Sequence, residues 1–94
     1  MSTFQLDIVT PESLIFSGKV SGVKIPGSNG SFSVLHNHAP LISSLSQGDL
    51  EVTEESGNKL SFLTKGGVAE VIDNKVTILV ESVLKGMEQV KGEE

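Results

Sequence analysis

Two imidazoles, His36 and His38, are the only histidines in the chain. At positions i and i+2 of a strand they would share one face and could grip a metal ion between them. A catalytic zinc, however, takes three protein ligands plus water. The zone where a downstream carboxylate would be needed holds Ile42, Ser43 and Ser44, and no third histidine exists. The two imidazoles therefore suit a surface or a turn better than a metal centre. Serines are scattered, with no Gly-x-Ser-x-Gly elbow to activate one of them. The absence of cysteine removes thiol chemistry and disulfides together. Glu54 and Glu55 form the obvious carboxylate pair, but they stand beside a turn, where a solvated charge run is expected. Gly27-Ser28-Asn29-Gly30 is glycine-rich, yet Ser31-Phe32-Ser33-Val34 after it reads as a strand, whereas a phosphate cradle opens a helix. No active site and no cofactor are expected.

The elements that carry these residues repeat with period 2. Phe4, Leu6 and Ile8 alternate with Gln5 and Asp7; Phe32 and Val34 with Ser31 and Ser33; Leu50 and Val52 with Asp49, Glu51 and Thr53. Leu60 and Phe62 alternate about Ser61, and Val76, Ile78 and Val80 include Thr77 between the first two. Each set places apolar side chains on one face of a strand. Ser56-Gly57-Asn58 and Asp73-Asn74 fit hairpin turns, Pro26 to Gly30 reads as a longer loop, and Gly66-Gly67 as a bulge or sharp bend. Val20 and Val23 are three apart, so a bulge is expected near Gly22. Seven or eight short strands at this spacing predict an all-β sandwich or barrel. Beyond residue 84 the pattern changes. Val83, Met87 and Val90 have loosely helical spacing, Gly86 and Gly92 weaken any helix, and the end is polar. A domain over residues 1–84 is expected, with a short polar tail at 85–94 that frays or turns helical.

Bulk properties narrow the partners. Ninety-four residues make one small domain, which buries only about 60–65% of the surface its unfolded chain exposes, so help from partners is plausible. A net charge of −5 speaks against nucleic acid and against an anionic lipid surface. The seven lysines are spread from Lys19 to Lys91, without a basic cluster. Tryptophan and tyrosine, the usual anchors of binding modules, are both missing. The carboxylates Asp49, Glu51, Glu54 and Glu55 fall on one hairpin and read as an ordinary wet face that deters edge pairing, with a partner-facing patch as the alternative. The first residues lack the basic start and apolar run of a secretion signal, and nothing approaches a bilayer span. These features point to a protein kept in the cytoplasmic compartment whose partners are protein surfaces.

Within this small all-β pattern, several segments resemble the epsilon subunit of F-type ATP synthases. Leu6-Asp7-Ile8-Val9-Thr10-Pro11-Glu12, followed by Phe16-Ser17-Gly18 and Val20, is similar to that family's opening. Gly27 to Leu35 leads into His38-Ala39-Pro40-Leu41, the most specific stretch in the chain. Gly66-Gly67-Val68-Ala69-Glu70-Val71 and Val76-Thr77-Ile78-Leu79 resemble its later segments, and the likeness extends over about residues 3 to 84. The resemblance implies a two-sheet antiparallel β-sandwich in a non-catalytic subunit of the rotor's central stalk. Such a subunit would be held by gamma and by the c subunits of the membrane rotor ring, one copy per complex, without self-association or lipid insertion. It would couple ion translocation to ATP synthesis from the cytoplasmic face of a bacterial inner membrane. Thr10, His38 and Ser43 would touch gamma, and Asn29, Gly30 and Ser31 would face the ring.

Two departures modify that expectation. Most members carry an acid near the ring-facing loop, where this chain has Asn29 and Ser31, so hydrogen bonds would replace a salt bridge. Members usually continue into a C-terminal two-helix hairpin that inhibits ATP hydrolysis, so coupling without that device is expected here. Two other readings stay open: a small cupin-like metalloenzyme built on His36 and His38, and a β-sandwich adaptor for an unrelated protein.

Overall fold

The computed structural model describes the backbone of residues 2–90 and the side-chain surroundings of residues 2–86. Nine strands make up its regular structure: β1 Phe4–Val9, β2 Leu14–Gly27, β3 Gly30–Leu35, β4 Leu41–Leu45, β5 Gly48–Glu54, β6 Lys59–Thr64, β7 Gly67–Ile72, β8 Lys75–Val80 and β9 Val83–Val90. The expectation of an all-β fold is met, with more strands than the turn spacing suggested.

The long β2 belongs to two layers. Its first half pairs with β1, from Phe4↔Val20 to Val9↔Leu14. Its second half pairs with β3 on one side and β5 on the other. The register with β5 shifts between Val20 and Gly22, the bulge expected from the Val20–Val23 spacing. One layer runs β2–β1–β8–β7–β4 and the other β3–β2–β5–β6–β9. A single bridge, Gly27↔Leu45, brings β4 back against the far end of β2. All pairings are antiparallel except β1–β8, which is parallel.

The period-2 side chains meet between the layers. Phe4, Leu6, Ile8, Val76 and Ile78 come from the first layer; Val34, Leu50, Val52 and Phe62 come from the second, and all are buried. The rings of Phe16 and Phe62 cross edge to face with centroids 6.2 Å apart, stitching one layer to the other. Thr64 is the one buried polar side chain among the described residues, and its hydroxyl donates to the Gly48 carbonyl at 3.3 Å.

The turns correct and refine the expectations. Asp73 and Asn74 both take positive φ, 52° and 60°, as a two-residue hairpin needs. Gly66 and Gly67 are where backbones approach closely: a Cβ on Gly66 would stand 2.7 Å from the Leu45 carbonyl oxygen, and one on Gly67 would run into that of Leu79. The stretch Pro26 to Gly30 is no long loop. Strand β2 continues through Pro26 to Gly27, and only Ser28 and Asn29 turn before β3 begins. Other backbone satisfies this end, since the Pro26 carbonyl accepts from Ser46 N and Ser28 N donates to the Ser44 carbonyl, both at 2.9 Å.

The expected helical or frayed tail is strand as far as it is described. β9 pairs antiparallel with β6 through Lys59↔Val90 and crosses residues 84 and 85 without a break. Gly86 opposes a helix, and the open edge of β6 offers backbone bonds to an extended chain. Residues 91–94 of that expected tail lie outside the described residues.

A polar cluster fastens three strands on the outside of the first layer. The Gln5 amide and the Ser17 hydroxyl donate to Asp7 Oδ1 at 2.8 and 2.7 Å, and Lys75 Nζ lies 3.8 Å from Asp7 Oδ2. The Gln5 and Ser17 hydrogen bonds, helped by Lys75 and opposed by burial, hold the Asp7 carboxyl below its ordinary range.

Phe62→Ala should lower stability by about 3–5 kcal/mol, a large part of what a domain this small possesses; urea denaturation measures it, and a loss under about 1 kcal/mol would refute the inter-layer role. Because the folded Asp7 carboxyl titrates lower than the unfolded one, its contribution is full above the unfolded value of about 4 and fades as pH falls through the folded value. The stability gap between wild type and Asp7→Asn should therefore hold steady from neutrality to about pH 4 and shrink below it. A gap that is flat down to strongly acidic pH would contradict this.

Candidate docking face

The outer face of the first layer departs from the apolar-in, polar-out rule. Register places Ser44 beside Val68, Val68 beside Leu79, Leu79 beside Val9, and Val9 beside Leu14. Four of these five side chains are apolar, and they form a stripe across the sheet. A second row reads Ile42, Glu70, Thr77, Asp7 and Ser17; a third reads Ile72, Lys75, Gln5 and Lys19. Seven large apolar side chains are exposed among the described residues, and five of them, Leu14, Ile42, Val68, Ile72 and Leu79, lie on this one face. Ile42 is 74% exposed.

The opposite outer face is wet. Ser33, Lys24, Glu51 and Ser61 lie in one row of register, and Pro26, Asp49 and Leu63 lie among the neighbouring positions. The carboxylates of the β5–β6 hairpin are thus exposed or half-exposed, as an ordinary solvated surface requires. One outer face thus carries five of the seven exposed large apolar side chains, and the other is mainly polar, with Leu35 and Leu84 exposed on its edge strands β3 and β9. Large exposed apolar patches on a small domain mark surfaces that another molecule covers.

Two carboxylates stand in the second row, and their situations differ. Asp7 has two hydrogen-bond donors and a lysine. Glu70 is exposed and has no ion pair within 4.0 Å among the described residues. It lines a shallow groove of about 320 Å³ with Pro40, Leu41, Ile42, Val71 and Ile72.

The residues expected to touch gamma are not gathered at one point. Thr10 caps the end of β1 beside the stripe; its N donates to the Ser13 carbonyl at 2.9 Å and its Oγ1 accepts from Ser13 N at 3.1 Å. His38 lies past the other end of the strands, where Asn37 N donates to Asn74 Oδ1 at 2.8 Å. Ser43 pairs with buried Ala69 and is half-buried on the inner side of β4, while Ile42 and Ser44 face outward. Thr10 and His38 therefore bracket the apolar face rather than form a cluster. Asn29, Gly30 and Ser31 sit at the Thr10 end, on the tip of the β2–β3 hairpin. That tip is tied to β4 by Ser44 Oγ donating to Ser28 Oγ at 3.0 Å.

The histidine pair lies in a turn, the reading favoured over a metal centre, and not on a strand face. β3 ends at Leu35, and both imidazoles lie beyond it, in a turn where Asn37 takes φ of 61°. The alternation that would aim them at a common metal is broken, and His38 Nδ1 instead lies 2.7 Å from the Ala39 carbonyl oxygen. Among the described residues no three His, Cys, Asp or Glu side chains group to hold a metal ion. A second hollow, open and lined by Lys19, Glu54, Glu55 and Ser56, contains neither imidazole nor thiol.

Sequence reasoning missed the stripe because it read β8 as alternating. Leu79 fills an outward position between Ile78 and Val80, and the doublets Leu41-Ile42 and Val71-Ile72 do the same on β4 and β7. Runs apolar on both faces were the available signal.

Residues 3–86 match the family model described as the ATP synthase, Delta/Epsilon chain, beta-sandwich domain. An ATP synthase epsilon chain of Rhodopseudomonas palustris (strain BisB18) is 46% identical over 81 residues, covering 86% of this chain and 59% of that one. The ATP synthase epsilon chain of Bradyrhizobium sp. (strain ORS 278) is 42% identical over 91 residues, covering 95% and 67%. A chain in the cryo-EM structure of the Euglena gracilis mitochondrial ATP synthase, OSCP/F1/c-ring, superimposes with a TM-score of 0.84 at 26% identity, covering 90% of this chain and 54% of that one. A chain of the Tetrahymena thermophila mitochondrial ATP synthase central stalk and c-ring shares the fold, with a TM-score of 0.70 at 20% identity, covering 86% and 65%. The chain spans about three fifths of the length of the first curated relatives it matches. Over residues 3–86 this chain belongs to the ATP synthase epsilon chain family, as its β-sandwich domain, in a line of structural and regulatory rather than catalytic subunits.

Proposed function

We propose that the chain works as a non-catalytic rotor subunit of an F-type ATP synthase, held on the central stalk by gamma and resting on the c ring. One observation carries this reading: five of the seven exposed large apolar side chains gather on one outer face, while the other outer face is mainly polar. Covering that stripe would remove apolar surface from water at about 25 cal/mol per Å², enough to make a shallow sheet face adhesive without any chemistry. The family supports gamma as the occupant, with Thr10 and His38 at the two ends of the contact and Ser43 beneath it.

The hairpin tip Asn29-Gly30-Ser31 would meet the polar loops of the ring through hydrogen bonds, since it carries no charged side chain. In this arrangement the slab sits peripheral to the membrane, on the cytoplasmic side in a bacterium. No helix among the described residues is long and apolar enough to cross a bilayer. Coupling then needs only stiffness: torque passes through a rigid body gripped on one face and one end.

Leu79→Asp puts a charge into the centre of the stripe while leaving the core side of β8 intact. It should weaken binding to purified gamma by about tenfold or more, measured by calorimetry. Ser33→Asp on the wet face should leave binding unchanged. Equal loss from both variants, or from neither, would refute this face as the gamma site.

A further inference from the structure

We infer that Glu70 receives one basic side chain of gamma, an arginine or lysine, and so sets the register in which the apolar face is gripped. This inference rests on the gamma reading and adds the chemistry of one contact.

Glu70 stands between Val68 and Ile72 along β7, opposite Ile42 on β4 and Thr77 on β8. Three of these four neighbours are apolar, and the groove at this position is walled by Pro40, Ile42 and Ile72. The one lysine near the middle of the face, Lys75, is already engaged by Asp7. Asp7 is served from within the chain, so it has little to offer a partner. Glu70 has no such service among the described residues, and a partner that covered Ile42 and Ile72 would strip its water away. A carboxylate desolvated without a counterion is expensive, so a partner fitting this face has to bring a cation. The groove suits a long basic side chain, whose methylenes lie along Ile42 and Ile72 while its head pairs with the carboxylate. The net charge of −5 adds attraction at a distance.

The test measures purified gamma binding to wild type, Glu70→Gln, Glu70→Asp and Leu79→Asp over a range of salt. Thermal melts first establish that each variant folds. Glu70→Gln keeps size and hydrogen bonding but loses charge, and it should weaken binding by about tenfold or more with a flatter salt dependence. Glu70→Asp should lose less. If Glu70→Gln binds like wild type with the same salt dependence while Leu79→Asp does not bind, the cation contact is wrong and the gamma site stands. If wild type itself fails to bind gamma, the gamma reading falls and this contact falls with it.

Discussion

The fold depends on one strand that serves two sheets. β2 leaves the first layer at Val20 and enters the second at Gly22, and the bulge between them turns the strand without breaking it. Because strand side chains alternate strictly, that extra residue decides which face every later residue of β2 shows. Val20 is buried before the bulge, Val23 and Ile25 after it. A regular strand would have turned one set to water. With β2 fixed, β1, β3 and β5 have their registers dictated, and the remaining strands add to edges already set.

The same arrangement explains why one outer face is apolar. In the first layer, β1, β8, β7 and β4 each have a side turned to the core and a side left over. On the leftover side, Val9, Leu79, Val68 and Ile42 stand where a self-sufficient sheet would place polar groups. The polar cluster around Asp7 breaks this surface into an apolar stripe and a mixed region, which limits the ways a partner can sit. The opposite layer, with Lys24, Glu51 and Ser33 outside, presents an ordinary, mainly wet face. On the proposed reading, the asymmetry between the faces is what a partner would recognise.

Much of this architecture could be read from local chemistry. The bulge at Gly22, the Asp73-Asn74 turn and the alternating sets in β1, β3, β5 and β6 all follow from rules that operate within a few residues. Three features could not be read that way. The Pro26–Gly30 segment looked like a loop because proline and glycine usually punctuate, but contacts from Ser44 and Ser46, distant in sequence, complete its backbone bonds. β9 looked helical because Val83, Met87 and Val90 have that spacing, yet the vacant edge of β6 decided its conformation. The docking face escaped because it is a property of five strands side by side; no single strand carries more than two of its exposed apolar residues.

The central claim is that gamma covers the outer face of the first layer and leaves the other face open to water. Amide hydrogen exchange, followed residue by residue on the free chain and on its complex with purified gamma, tests this directly. The account predicts new protection along β4, β7, β8 and β1, with β5 and β6 unchanged. Protection concentrated on β5 and β6, with β7 and β8 unaffected, would contradict it.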